Sequence, residues 1–282
     1  MKRYVQRLLI FFIGVPVVIA LVFFLPYRNH LIMNLFIVFF CALGAIELKI
    51  MLEKKQLPIS AVEAVILGSL APLLVMLVVC FNVNFLIIPV FLCAAVFWIF
   101  ISSIFLQSPK LDDYINRITA GFAMLIYPGG FLALICAMGS WNSILILVFL
   151  LIPIMGDSTA WAAGMLFGKN NQGVVKVSPN KSIAGFIGGI FASVLIGVVA
   201  AWAFPDFFIP RFSTVWLSAA ILGLITGIAA ILGDLCESAI KRSADVKDSG
   251  AIMPGRGGVL DSVDSIAFAA PVFYCIWMFL FN

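Results

Sequence analysis

The run Ser143-Ile144-Leu145-Ile146-Leu147-Val148-Phe149-Leu150-Leu151-Ile152-Pro153-Ile154-Met155-Gly156-Asp157-Ser158-Thr159-Ala160-Trp161 carries one acid inside a stretch long enough to cross a bilayer. About 20 predominantly apolar residues span the hydrocarbon core. An aspartate at that depth costs roughly 2.5–3.5 kcal/mol on insertion scales, so it needs a partner or a water-filled cavity. Similar apolar runs recur along the whole chain. Of its 282 residues, 64% are hydrophobic and 11% charged, with 27 Phe and a mean hydropathy of +1.19. A soluble domain is about 45–50% apolar and about 25% charged. There is too little polar surface here to cover a water-exposed globule, which excludes a cytosolic protein, a secreted disulfide scaffold and a disordered chain.

The reading is an all-α polytopic membrane protein of about nine transmembrane helices. The spans fall near 8–26, 31–51, 61–80, 85–106, 118–138, 143–167, 182–204, 214–235 and 265–281. With that count, one side receives Lys2, Arg3, Arg7, Lys49, Lys54, Lys55, Lys110, Arg117, Lys169, Lys176, Lys181, Lys241, Arg242, Lys247 and Arg256. Only Arg28 and Arg211 of the 17 Lys and Arg fall on the other. The positive-inside rule then places the N-terminus in the cytoplasm and the C-terminus on the opposite side. The apolar run after Arg7 is too long for a signal peptide and reads as a retained first helix.

Composition divides the chain into N-terminal membrane helices, 1–140, and a C-terminal catalytic region, 141–282, with cytoplasmic loops 168–181 and 236–264. The six Cys show no metal-ligand spacing and lie in or beside apolar runs, where cysteine acts as a small hydrophobe. The single histidine, His30, follows the first apolar run, which argues against His-based metal or base chemistry.

Three groups of residues point to chemistry. Asp157 reads as a functional acid facing a cavity, with a structural contact between helices as the alternative. Lys176-Val177-Ser178-Pro179-Asn180-Lys181-Ser182 turns into the seventh span, where a helix N-terminus and Lys181 favour an anion. Gly185, Gly188 and Gly189 allow the plainer reading of close helix packing.

The third group is the densest: Asp234, Ser238, Lys241, Arg242, Lys247, Asp248, then Pro254-Gly255-Arg256-Gly257-Gly258, Asp261 and Asp264. If the eighth helix continues past Asp234, then Asp234, Ser238 and Lys241/Arg242 share one face, as do Asp261 and Asp264 where the ninth begins. The glycine-rich turn allows close backbone approach to a ligand. Carboxylates and cations without His or Cys suit Mg²⁺, with room for a second cation, and a polyphosphate substrate. A solvated charged loop is the plain alternative.

These residues resemble the signature of the phosphatidate cytidylyltransferase (CDP-diacylglycerol synthase) family. The match runs through Ser238, Lys241, Arg242, Lys247, Asp248, Gly250, Pro254, Gly255, Gly257, Gly258, Leu260, Asp261 and Asp264. Upstream it takes in Gly156, Asp157, Ser158, Ala160, Ser178, Pro179, Lys181, Gly185, Gly188 and Gly189. Three positions depart from the pattern: Arg256 stands for its His, Ser262 for its Arg and Ala184 for its usual Glu.

The resemblance implies that CTP and phosphatidic acid give CDP-diacylglycerol and pyrophosphate for phospholipid biosynthesis. It implies Asp234, Asp261 and Asp264 as Mg²⁺ ligands, with Asp157 and Asp248 as weaker candidates. Lys181, Lys241, Arg242 and Lys247 are then phosphate partners. Ser178, Asn180, Ser238, Arg256, Gly257 and Gly258 complete the substrate contacts, and Lys241 and Asp248 join the aspartates as catalytic candidates. The expected partners are the two substrates and the bilayer, with a homodimer open and no nucleic acid. The expected location is a bacterial inner membrane, with the active site facing the cytoplasm. The alternatives are a transporter or ion-coupled protein using Asp157 and Asp234, a related CTP-dependent lipid enzyme and an inactive paralogue.

Overall fold

A computed structural model describes residues 14–57, 59–105, 112–253 and 255–281. The elements are α1 Val15–Phe24, α2 Tyr27–Glu53, α3 Ala61–Phe81, α4 Ile87–Phe105, α5 Asp112–Met124, α6 Phe131–Met138, α7 Ser143–Phe167, α8 Ile183–Ala203, α9 Val215–Ser243 and α10 Leu260–Leu280. A wide turn at Leu125–Gly130 joins α5 to α6. The described residues form no strand, only two isolated bridges.

The expected all-α membrane fold is present. Among the described residues, seven helical stretches are long and apolar enough to cross a bilayer: α2, α3, Tyr114–Met138, α7, α8, α9 and α10. The expected span 85–106 falls on α4, whose apolar stretch Ile87–Ser102 is shorter. Only part of the expected 8–26 span is described, as α1, and Lys2, Arg3 and Arg7 lie outside the described residues.

The chain forms two compact units. One comprises Met1–Trp141 with Ile240–Ser262, the other Asn142–Ala239 with Val263–Asn282. The loop after α9, grouped by sequence with the C-terminal region, packs instead with the N-terminal helices, because a buried acid of α2 holds it there.

In the first unit, small residues let α2 and α3 meet. A Cβ on Gly68 would lie 2.6 Å from that of Ala45, the close approach expected where helices pack without a hydrophobic driving force. Ser60 caps α3, its hydroxyl accepting from the Glu63 amide at 3.1 Å. The Glu63 carboxylate accepts from Arg117 Nη2 at 2.6 Å and from Trp98 Nε1 at 3.0 Å. Arg117, one of the cations used to orient the chain, is therefore half of an ion pair. His30 is also structural: buried, it donates from Nδ1 to the Gly139 carbonyl at 2.8 Å.

In the second unit, α8 packs on α7 through a glycine stripe. A Cβ on Gly188 would lie 2.6 Å from Ala163 Cβ, and one on Gly185 2.9 Å from the Ala160 carbonyl. The packing reading of Gly185, Gly188 and Gly189 is the one the fold bears out. Phe149 and Phe273, both fully buried, meet as a tilted ring pair with centroids 5.2 Å apart in this unit's core.

Candidate functional site

α9 runs unbroken past Asp234 to Ser243, so Asp234, Ser238 and Lys241 keep their helical register. In the first unit, Lys241 forms an ion pair with Asp261 Oδ1. The pair is shielded, with side chains 12% and 7% exposed. Asp261 Oδ2 takes three more donors: the Ser249 amide at 2.7 Å, the Ser249 hydroxyl at 2.8 Å and the Gly258 amide at 2.8 Å. The shielded carboxylate is thus compensated by one cation and three hydrogen bonds, as burial demands.

The loop between α9 and α10 closes on itself through Met253 and Gly257, which exchange backbone hydrogen bonds at 2.8 and 3.1 Å. Gly255 and Gly257 have φ of +76° and +110°, which a side chain would strain. Arg256 sits between them at the tip, exposed, as are Arg242, Lys247 and Asp248. Arg242 Nη1 donates to the Val246 carbonyl at 3.4 Å. Ser262 turns its hydroxyl back to the Gly258 carbonyl at 3.2 Å. Outside the membrane helices, Lys55 sits 2.8 Å from Asp245 and holds that carboxyl below the usual carboxylate range.

Two residues of this site were not singled out from the sequence. Ser249 is buried and bridges toward two carboxylates, those of Asp261 and Glu47. Glu47, only 3% exposed, accepts from the Ser249 hydroxyl at 3.1 Å, the Val259 amide at 2.8 Å and the Leu260 amide at 3.0 Å. The signal was available. Glu47 is an acid inside an apolar span, as Asp157 is.

In the second unit, Lys181 forms an ion pair with Asp234. The turn that presents it is closed by the Lys181 amide donating to the Ser178 carbonyl at 3.1 Å. Ser182 caps α8, its hydroxyl accepting from the Gly185 amide at 3.1 Å. Ser178 is half-buried and Asn180 exposed on the same turn, and Ser238 is half-buried on α9. Asp157 has the partner that its position requires, accepting from the Ser265 hydroxyl at 3.2 Å. The charges of Asp264, Asp234 and Lys181 all act on it. Asp264 is buried on α10, one turn from Asp261, and its Oδ1 accepts from the Ser265 amide at 2.6 Å.

Among the described residues, no three carboxylate, imidazole or thiolate groups gather into a ready-made metal site. The donor set nevertheless fits a hard divalent cation. The charges of Asp234, Asp264 and Lys181 all bear on Asp157, and Mg²⁺ keeps several waters while binding one or two carboxylates plus substrate phosphates. Asp234 and Asp264 are the residues that would hold it.

The chain is 40% identical over 130 residues to a phosphatidate cytidylyltransferase of Synechocystis, covering 44% of this chain and 42% of that protein. It is 42% identical over 127 residues to phosphatidate cytidylyltransferases of Staphylococcus haemolyticus and Staphylococcus aureus, covering 45% of this chain and 46% of each. The matched stretch thus spans under half the length of these relatives. A protein-family model covers far more of the sequence, from residue 5 to residue 280, and by that match the chain belongs to the cytidylyltransferase family.

Proposed function

We propose that the protein transfers a cytidylyl group from CTP to phosphatidic acid. A phosphate oxygen of the lipid attacks the α-phosphorus of CTP, the bond from that phosphorus to the β-phosphate oxygen breaks, and pyrophosphate leaves. A phosphomonoester has a second pKa of about 6, so the nucleophile is already largely dianionic at neutral pH. The reaction therefore needs alignment and charge neutralisation more than a general base. That demand suits a chain whose single histidine is tied to a backbone carbonyl.

The observation that carries the reading is the pairing of two signature lysines with acidic partners, Lys181 with Asp234 and Lys241 with Asp261. Each pairing holds an ammonium in place before substrate arrives, and each lysine has a carboxylate to leave when a phosphate takes it. Exposed Lys247, Arg242 and Arg256 supply further cations, with Arg256 for the triphosphate or the departing pyrophosphate. Ser178, Asn180, Ser238, Gly257 and Gly258 line the same signature segments as substrate contacts. Asp248 is a further candidate on the loop.

Mg²⁺, held by Asp234 and Asp264 with Asp157 near by, would supply charge neutralisation on the triphosphate. The proposal also carries a cytoplasmic active site in a bacterial inner membrane, where CTP is at hand and the lipid's acyl chains stay in the bilayer. A homodimer is compatible with it.

Purified protein given radiolabelled CTP, Mg²⁺ and a panel of phospholipids tests the reading. Labelled CDP-diacylglycerol formed only from phosphatidic acid is the expected result. No lipid product overturns it, and ion flux in liposomes without product favours the transporter alternative.

A further inference from the structure

We propose that Glu47 is the positioning residue of the signature loop. From α2 it ties the two ends of the 249–259 segment together and so sets the carboxylate of Asp261. The proposal rests on the reading of this loop as nucleotide-handling, but its structural part stands apart from that reading.

The residue before the first turn of α10 is Val259, which has no side-chain acceptor for the free amides of a helix start. Glu47 supplies that acceptor from another helix. Oε1 takes the Val259 amide at 2.8 Å and Oε2 the Leu260 amide at 3.0 Å. A carboxylate at a helix N-terminus also meets the favourable end of the dipole.

Oε2 reaches the Ser249 hydroxyl as well, at 3.1 Å, at the other end of the loop. That hydroxyl lies 2.8 Å from Asp261 Oδ2. Glu47, Ser249, Asp261 and Lys241 thus form one continuous chain of polar contacts. Glu47 touches neither Asp261 nor Lys241 in it, and acts through Ser249 and the start of α10.

The glycines of the signature carry the second observation. A Cβ on Gly250 would fall onto Glu47 Oε1, and one on Gly258 onto the Ser249 hydroxyl and Glu47 Oε2. Neither glycine has a positive φ, so room rather than backbone freedom requires them. Gly257 does the same for Asp261, whose Oδ2 a Cβ there would approach to 2.6 Å. Sequence reading assigned this glycine-rich turn to a ligand's approach. In the fold, these three glycines admit the protein's own carboxylates.

The test uses the full-length protein in lipid nanodiscs. Gln at 47 keeps one acceptor oxygen but turns an NH₂ group toward donors. In Glu47→Gln, hydrogen exchange of the 249–260 amides should rise at least about 10-fold above wild type. The kcat for cytidylyl transfer should fall about 10-fold, with KM for CTP within about 2-fold. Exchange at wild-type rates overturns the proposal. If kcat per folded molecule is instead that of wild type, the loss following only the amount of folded protein, the role is merely structural and the proposal also fails.

A second experiment holds if Glu47→Gln does not fold. Gly250→Ala should impair activity and loop protection, and the shorter acid of Glu47→Asp in the same chain should restore part of both. Gly250→Ala behaving as wild type, or gaining nothing from Glu47→Asp, overturns the proposal. If wild-type protein makes no lipid product, the proposed function fails while the exchange measurements still decide the role of Glu47.

Discussion

Lys241 and Asp261 form a shielded ion pair, and replacing Lys241 by Met tests how far the site depends on it. Met keeps most of the volume and removes the charge. Breaking a buried pair by deleting one partner costs about 3–5 kcal/mol, because the other charge is left uncompensated. Here the figure belongs at the low end, about 3 kcal/mol, because Asp261 keeps three donors from Ser249 and Gly258. At roughly 2–4 °C per kcal/mol, Lys241→Met should lower the unfolding midpoint by roughly 6–12 °C. Thermal unfolding in detergent, followed by thiol-reactive dye or intrinsic fluorescence, reads this directly.

Asp261→Asn in the same chain removes the stranded charge and should recover about 1 kcal/mol or more relative to the sum of the single effects. Activity should be lost in both variants, because a phosphate partner is missing in each. A midpoint within about 2 °C of wild type for Lys241→Met would show that the pair contributes under about 1 kcal/mol. Strict additivity in the double variant would show that the two side chains do not depend on one another. Either result refutes the reasoning.

Asp264→Asn and Asp234→Asn should each abolish turnover at saturating Mg²⁺ while leaving membrane insertion intact, measured by lipid product and by size-exclusion profile. Near-normal turnover in either removes that residue from the proposed metal set. Arg256→His should lower activity, since His is mostly neutral at pH 7, and adding Ser262→Arg should restore it. A coupling above roughly 0.5 kcal/mol in activity marks a shared network, and additive effects refute the compensation. Asp245 should titrate below an ordinary aspartate, so its small contribution is present above the unfolded pKa and fades as pH falls through the folded one. Lys55→Ala should return that titration, followed by carboxyl NMR, toward the ordinary value with little change in stability. Cysteines placed singly at 54, 175 and 245 should all label from the cytoplasmic side, and any one labelling from outside overturns the orientation.

The membrane fold was legible because apolar length is a local property. A helix in lipid satisfies its own backbone, so a run of about 20 apolar residues suffices to name it. The register of Asp234, Ser238 and Lys241 on α9 was legible for the same reason, since residues three and four apart share a face wherever they lie on a helix. Lys181, Asp234, Lys241 and Asp261 were all named from sequence, although which lysine pairs with which aspartate was not.

Partners depend on how helices pack, and that is not a local property. Ser249 and Glu47 are 202 positions apart, and no spacing rule joins them. Tertiary structure alone decided that the loop 240–262 belongs with the N-terminal helices, and that Gly250 and Gly258 make room for a carboxylate. It also decided that the glycine stripe of α8 packs on α7, where sequence left both readings open. The physical reason is the same in each case. A buried charge and a missing Cβ acquire meaning only from the atoms brought against them, and those atoms come from other helices.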